Sequence, residues 1–213
     1  ICFSCRLMKE GEVIDADTCS IRDMVLVHLF AVEQQDFEDV AYWHTQIGIA
    51  TAIKKRQDQT SQALNILKGE GWVSVKKGSV PGMARKRKVY FLDEAGRSAA
   101  RDLYTRLQGM YVLLKDEGEG EGMYAPIGSV AANSSSPVAF SAALNLQISY
   151  GHIKMKQYHN YLRILDRCAR LGLPRGMVSH MSDAPVVGFF VGRRKELGDL
   201  KREIDADAKC RAI

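Results

Sequence analysis

Apolar residues recur at helical spacing in three successive segments of the first half of the chain. The helices predicted from this spacing cover residues 20–34, 45–53 and 59–68. Ser20 and Thr45 precede the first two apolar runs and are the predicted N-caps. The polar residues 54–58 form a turn between the second and third helices. The pattern therefore predicts two short helices joined by a tight turn and supported by a broadly apolar first helix.

Beyond the third helix the pattern changes to the alternation of a half-buried strand. Residues 72–75 alternate in this way, and residues 89–92 predict the strand that returns. Asp93 then begins a helix with apolar residues up to Leu107, which we expect to extend to Leu114. These segments predict a β-hairpin between two helices.

The second half of the chain divides into a polar stretch and a helical one. Glycines that alternate with acids, followed by a run of serines, predict a Gly/Ser-rich linker over 115–137. Apolar spacing predicts a helical region over 138–186, with a break near Gly151. The predicted parts of the chain are an N-terminal segment (1–19), a helix-turn-helix domain with its hairpin (20–114), the linker (115–137), the helical region (138–186) and a C-terminal segment (187–213).

Composition narrows the class of protein. With 46% hydrophobic and 26% charged residues the chain is typical of a globular protein rather than a disordered or fibrous one. No apolar run approaches the roughly 18–20 residues that span a bilayer, so we expect a cytoplasmic protein with no membrane partner. A net charge of +5 is compatible with a nucleic-acid partner but does not by itself indicate one.

The outer face of the third predicted helix suits the recognition of base edges. Its apolar residues are expected to face the core; they are Ala63, Leu64, Ile66 and Leu67. Amide and hydroxyl side chains are left outside, where Gln and Asn can pair with adenine and Ser or Thr can reach bases or phosphates. A helix in the major groove also needs a second helix that braces it against the backbone. The predicted helix over 45–53 provides this brace.

The hairpin carries basic residues at its tip and no acidic residue between Ser74 and Leu92. An isolated basic cluster is as often only a solvated surface. After a polar recognition-type helix, it is better explained as a wing that grips phosphates or reaches into the minor groove. The predicted DNA-binding residues are Thr45, Lys54, Lys55, Arg56, Gln59, Thr60, Ser61, Gln62, Asn65, Lys76, Lys77, Arg85, Lys86, Arg87 and Lys88.

Three runs of residues between Thr45 and Gly96 have a recognisable spacing. They are Thr45-Gln46-x-Gly48-Ile49-Ala50, Ser61-x-x-Leu64-x-x-Leu67-x-x-Glu70-Gly71-x-Val73 and Val80-x-Gly82-x-x-Arg85-x-Arg87-Lys88-Val89-Tyr90-Phe91-Leu92-x-x-x-Gly96. They resemble the winged-helix domain of MarR-type regulators, in the form that archaeal proteins carry in front of a large ATPase. The resemblance implies a mainly α fold with a small β-hairpin (α+β), a winged helix-turn-helix followed by a helical C-terminal region. It also implies a transcriptional regulator that binds double-stranded DNA sequence-specifically.

The C-terminal segment has a resemblance of its own. Residues 189–200 read Phe-Phe-Val-Gly-Arg-Arg-Lys-Glu-Leu-x-x-Leu and resemble the segment that leads into STAND and related AAA-type ATPase domains. In that family Val191, Gly192 and Arg193 would contact the adenine end of the nucleotide. The phosphate-binding loop G-x-x-x-x-G-K-[ST] does not occur in the 213 residues, so we expect neither a nucleotide cofactor nor enzyme activity. We therefore expect the front part of a longer regulator, with a truncated ATPase-like end; the alternative is a short amphipathic helix.

The cysteines and histidines form no motif that predicts a metal site or a catalytic site. Cys2 and Cys5 make one C-x-x-C pair, but no second pair follows at the spacing of a zinc site, so no metal ligand is predicted. The histidines are dispersed; they are His28, His44, His152, His159 and His180. None lies in a recognisable nucleophile motif, and no catalytic residue is predicted.

A function of a different class remains open at this point. The winged helix could serve as a protein-interaction module of a signalling ATPase and bind no DNA, because the fold alone does not determine the partner. A stable protein partner, together with no DNA binding at low salt, would favour this alternative. We also expect a homodimer that pairs through residues 94–114 or 138–171 and places two recognition helices one DNA turn apart.

Overall fold

The computed structural model describes residues 12–15, 17–34, 40–115 and 122–173. The elements are α1 (Ile21–Glu33), α2 (Val40–Trp43), α3 (Gln46–Ala52), α4 (Gln57–Gly69), β1 (Val73–Gly78), β2 (Arg87–Leu92), α5 (Glu94–Gln108), β3 (Tyr111–Lys115), β4 (Met123–Pro126), α6 (Ile127–Ala132), α7 (Ala139–Tyr150), β5 (Ile153–Lys154) and α8 (Met155–Leu171). The predicted α+β class is confirmed, since helices predominate and β1 pairs antiparallel with β2. The predictions for Cys2, Cys5 and residues 187–213 lie outside the described residues.

Helix α1 is the central helix of the core. Ser20 is its N-cap, as predicted, and forms a capping box in which the backbone N–H of Asp23 donates to Ser20 Oγ at 3.2 Å. Every residue from Met24 to Val32 is buried. A helix that is apolar on all sides needs neighbours on all sides, and α4, α5 and α7 pack against α1.

Helices α3 and α4 are joined by the predicted turn. Thr45 caps α3 by accepting a hydrogen bond from the N–H of Gly48 at 3.0 Å. Helix α3 ends in a Schellman motif, because the N–H of Lys54 donates to the backbone carbonyl of Thr51 and the N–H of Lys55 donates to that of Ala50. Lys54 holds the left-handed position of this motif with φ 51°, a position that usually takes glycine. The helix-turn-helix geometry is therefore set by local hydrogen bonds in the turn.

The hairpin is anchored to the start of α3. Strand β1 pairs with β2 from Val73 opposite Leu92 to Gly78 opposite Arg87. A single bridge joins Thr45 to Val89, and the N–H of Tyr90 donates to the carbonyl of His44 at 2.9 Å. The start of α3 thus extends the hairpin by one short pairing, which holds the hairpin beside the helix-turn-helix.

Two expectations about the middle of the chain are wrong. The helix that begins after Asp93 ends at Gln108 and not at Leu114, because Tyr111 exchanges backbone hydrogen bonds with Glu12 and Ile14 and begins strand β3. The stretch 115–137 is not a linker over its described part, since it holds β4, which pairs with β3, and α6. The serine and glycine content of this stretch predicts a linker, but α6 has apolar residues at helical spacing that are buried. They are Ile127, Val130 and Ala131.

The predicted helical region over 138–186 is helical in its described part, as α7 and α8 separated at Gly151, and residues 174–186 lie outside the described residues. Gly151 ends α7 with φ 69° and Gly172 ends α8 with φ 62°, the left-handed C-terminal caps that glycine accepts without strain. Helix α7 packs on α1 and α8 packs on α3, and their buried side chains belong to the same hydrophobic cluster. The helical region therefore shares one core with the helix-turn-helix and is not a separate domain. Over the described ranges, none of the helices is both long enough and apolar enough to cross a membrane.

A buried histidine connects these two parts of the core. The ring of His28 on α1 is fully buried, with Nδ1 3.1 Å from Ser141 Oγ on α7 and Nε2 3.0 Å from the carbonyl oxygen of Trp43. A carbonyl only accepts, so we assign the proton to Nε2, and Nδ1 accepts from the Ser141 hydroxyl. Burial lowers the pKa of His28 to about 4, which keeps the ring neutral at pH 7.

Acid is expected to destabilise the chain through His28. The unfolded ring takes up a proton below a pH of about 6.5 and the folded ring only near 4, so the stability present above 6.5 is lost as the pH falls to 4, by about 3 kcal/mol. The measurement is urea unfolding at pH 7.5, 5.5 and 4 of the chain and of His28→Gln. The variant is expected to be less stable at pH 7.5 but to lose less stability on acidification. An equal loss in both proteins would contradict the assignment.

Candidate nucleic-acid interface

Helix α4 exposes most of the polar face that the sequence predicted. Gln62 and Asn65 are exposed, and Gln59 and Ser61 are half-buried. The opposite side buries the predicted core residues, with one exception, because Ile66 is 47% exposed. The prediction that Ile66 faces the core is therefore wrong. The outer face of α4 combines two amides with an apolar side chain.

Two predicted contact residues lie inside the protein. Thr45 is buried, and its hydroxyl donates to the carbonyl of Tyr42 at 2.7 Å while it caps α3. Thr60 is buried within α4, and its hydroxyl donates to the carbonyl of Arg56 at 3.0 Å. Both residues shape the helix-turn-helix but do not reach its surface. Residue type and helix position predict both as contact residues, but burial depends on the packing of other elements and cannot be predicted from these two features.

The three basic residues of the turn have different surroundings. The Lys54 ammonium donates to the Tyr150 hydroxyl at 2.6 Å and lies 4.5 Å from the centre of the Tyr150 ring, so it is directed toward α7. Lys55 is half-buried, whereas Arg56 is exposed and pairs with Asp58. The hydrogen bonds from Arg56 hold the pKa of Asp58 below its usual value. Because both partners of this pair are solvated, the pair is weak and Arg56 can exchange to another anion.

The hairpin presents six exposed cations on or beside its tip. They are Lys76, Lys77, Arg85, Lys86, Arg87 and Lys88. Lys77 lies directly opposite Lys88 in the strand register, an arrangement of like charges that opposes pairing. Within the part of the chain that the structure describes, none of the six forms an ion pair. The tip is therefore a dense cluster of positive charges, and a bound anion would reduce the repulsion between them.

Side-chain contacts fix the base of the hairpin to α3. The Nδ1 atom of His44 lies 2.8 Å from the carbonyl oxygen of Tyr90, and the His44 ring stacks on Phe91 with ring centres 5.0 Å apart. Burial lowers the pKa of His44, so the ring is neutral and Nδ1–H donates to that carbonyl. The ammonium nitrogen of Lys76 lies 5.7 Å from the centre of the same Phe91 ring. The basic tip is thus carried on a rigid base and is not a free loop.

Other candidate chemistry is sparse in the described residues. No group of three or more His, Cys, Asp or Glu side chains in them is arranged to hold a metal ion. Burial raises the pKa of Cys19 to about 11, so its thiol stays protonated at neutral pH. A cavity of about 320 Å³ lies beside Lys54 and is also lined by Tyr150, Lys156 and Asn160. Lys156 and Asn160 belong to α8, which the sequence-based site prediction did not include.

Comparison of the chain with protein-family models, with curated proteins and with solved structures gives no match. The partner is therefore inferred from the chemistry of the exposed surfaces. They consist of the outer face of α4 and the basic tip of the hairpin, both held by the short helix α3.

Proposed function

We propose that this protein binds double-stranded DNA as a transcriptional regulator, with α4 in the major groove and the hairpin on adjacent phosphates. The observation that carries the proposal is the group of six exposed hairpin cations, which have no ion pair among the described residues. Phosphate neutralisation by lysine and arginine supplies most of the affinity of proteins for DNA. A surface of this charge, beside a helix with amides, is suited to that partner.

The order of elements supports the same proposal. A buried helix, a short pairing at Thr45, two helices joined by a tight turn and then a hairpin follow one another from α1 to β2. This is the order of a winged helix-turn-helix domain, in which the second helix of the pair lies in the groove and the hairpin is the wing. Under this proposal α4 is the recognition helix.

The outer face of α4 favours recognition of A·T base pairs. Gln62 and Asn65 can each make two hydrogen bonds to the edge of adenine in the major groove. Ile66 lies one helical turn after Gln62 and is 47% exposed, and an apolar side chain there can contact the methyl group of thymine. The three side chains together are suited to short A·T-containing sites.

The direct test is binding to duplex DNA by fluorescence anisotropy at several salt concentrations. A pool of random duplexes first identifies the preferred sequence. The double variant Gln62→Ala/Asn65→Ala is expected to lose about 1–3 kcal/mol of discrimination per base contact and to keep its non-specific affinity. The control is Gln34→Ala/Asn133→Ala, which removes two exposed amides away from α4.

Two outcomes would contradict the proposal. One is no binding to any duplex at 50 mM salt. The other is a control variant that loses as much discrimination as the α4 variant. Homodimer formation stays a prediction, which light scattering of the chain with and without DNA would test.

A further inference from the structure

The outer face of α8 is a continuous row of polar and basic residues. Its members are Lys156, Asn160, Arg163, Arg167 and Arg170, spaced four, three, four and three residues apart. This spacing places all five on one side of a helix. The opposite side of α8 is buried and includes Tyr158, Leu162 and Leu165. The five residues are called the α8 row below.

The charge of this segment is one-sided. Residues 151–173 contain five basic side chains and one acidic side chain, Asp166. Asp166 accepts a hydrogen bond from Ser136 Oγ at 3.0 Å. An ordinary solvated helix alternates both signs of charge, because neighbouring pairs then stabilise it. In this segment lysine and arginine outnumber the acidic side chains by five to one, and this excess of positive charge favours contact with an anionic partner.

Helix α8 lies on the helix that would otherwise face the DNA backbone. In a helix-turn-helix the first helix of the pair crosses the phosphates, but α3 is buried from Gly48 to Ala52. The hydroxyl of Tyr161 on α8 lies 3.3 Å from the carbonyl oxygen of Thr51 and 3.4 Å from that of Ala52. Phosphates cannot reach α3 where α8 covers it. Exposed residues lie on the helix that covers α3; they include Lys156, Asn160 and Arg163.

The two ends of the α8 row adjoin the two surfaces already described. At one end Lys156 lines the same cavity as Lys54 of the turn. At the other end the wing contacts the end of α8, since a Cβ placed on Gly82 would lie 2.9 Å from the carbonyl oxygen of Arg170. The rise of an α-helix gives a length of about 21 Å from Lys156 to Arg170, roughly six base pairs of duplex. The row therefore bridges the turn and the wing.

We propose that the α8 row binds the phosphate backbone of the same DNA duplex and extends the contact beyond α4 and the wing. This inference rests on the proposed function. It assigns to α8 the backbone contacts that α3 is too deeply buried to make. The base-reading role stays with α4.

The test compares two double variants of the full chain that remove the same charge. Arg163→Gln/Arg170→Gln changes two exposed residues of the α8 row, and Arg101→Gln/Arg106→Gln changes two exposed residues of α5. The α8 variant is expected to reduce the slope of log affinity against log salt by about 1.8 and to weaken binding on the order of 50-fold at 0.1 M salt. The α5 variant is expected to change neither quantity. Thermal unfolding of both variants verifies that they are folded.

The outcomes separate this inference from the proposed function. If the chain binds DNA through the wing but the two double variants behave alike, the α8 inference is overturned and the proposed function stands. If the chain binds no DNA, both are overturned. The same proteins are also tested on vesicles that contain an anionic phospholipid. Loss of vesicle binding by the α8 variant with an unchanged DNA slope would assign the row to a membrane surface and overturn the inference.

Discussion

Removal of the four cations at the end of the wing is expected to weaken binding to every duplex by about 1,000-fold at 0.1 M salt. The change is Arg85→Ala/Lys86→Ala/Arg87→Ala/Lys88→Ala. Each phosphate contact contributes about 0.9 to the slope of log affinity against log salt, so the slope is expected to fall by about 3 to 4. Preferred and random duplexes are expected to lose affinity alike, because phosphates carry no sequence information. Fluorescence anisotropy at 50 to 300 mM salt gives both quantities.

The control keeps the charge and changes only the shape of the cation. In Arg85→Lys/Arg87→Lys the slope is expected to stay within about 0.5 of that of the parent, because a point charge still displaces counterions. The quadruple variant is expected to remain folded, since it also removes the repulsion between Lys77 and Lys88. A quadruple variant that is folded and binds DNA with the slope of the parent would refute the role of the wing.

Local signals in the sequence were sufficient to predict the helix-turn-helix and the hairpin. Ser20 and Thr45 were recognised because a capping hydroxyl acts on the next three residues and needs no distant partner. The polar turn between α3 and α4 likewise depends on neighbouring backbone groups. The strand pairing of β1 and β2 was predictable because its two alternating segments are close in the chain.

Strands β3 and β4 were missed although they pair close together in the chain, and the start of β3 also has partners far away in the chain. Tyr111 at the start of β3 exchanges hydrogen bonds with the backbone of Glu12 and Ile14, about a hundred residues earlier, and no local pattern encodes that contact. The residue type of Ile66 predicts a core position, but its place on α4 leaves it 47% exposed. Whether an apolar residue is buried depends on which faces other elements cover.

The candidate site shows the same division. Residue types and order were enough to single out the exposed amides of α4 and the basic tip of the hairpin. They were not enough to show that Thr45 and Thr60 are buried, because this follows from the packing around α3 and α4. The spacing of the α8 row is visible in the sequence. Its position over α3 is not, because it depends on contacts such as that between Tyr161 and Thr51.

Replacing Gly96 by alanine is expected to lower the free energy of unfolding by about 3 kcal/mol or more. Helix α5 approaches the start of the hairpin so closely that a Cβ on Gly96 would lie 2.0 Å from the carbonyl oxygen of Trp72. That carbonyl also accepts a hydrogen bond from the N–H of Asp93 at 3.0 Å, so it cannot turn away without loss. The helix or the strand must shift instead. Urea unfolding followed by circular dichroism measures the change.

Gly69 provides the matched control, because it is also a helical glycine but has open space around it. No atom lies within 4 Å of a Cβ placed on Gly69, at the end of α4. Gly69→Ala is therefore expected to raise the free energy of unfolding by up to about 1 kcal/mol, through the lower entropy of the unfolded chain. The two variants add the same methyl group and are expected to shift stability in opposite directions. If both shifted it equally, the close approach of α5 to Trp72 would be wrong, and with it the position of the hairpin relative to α5.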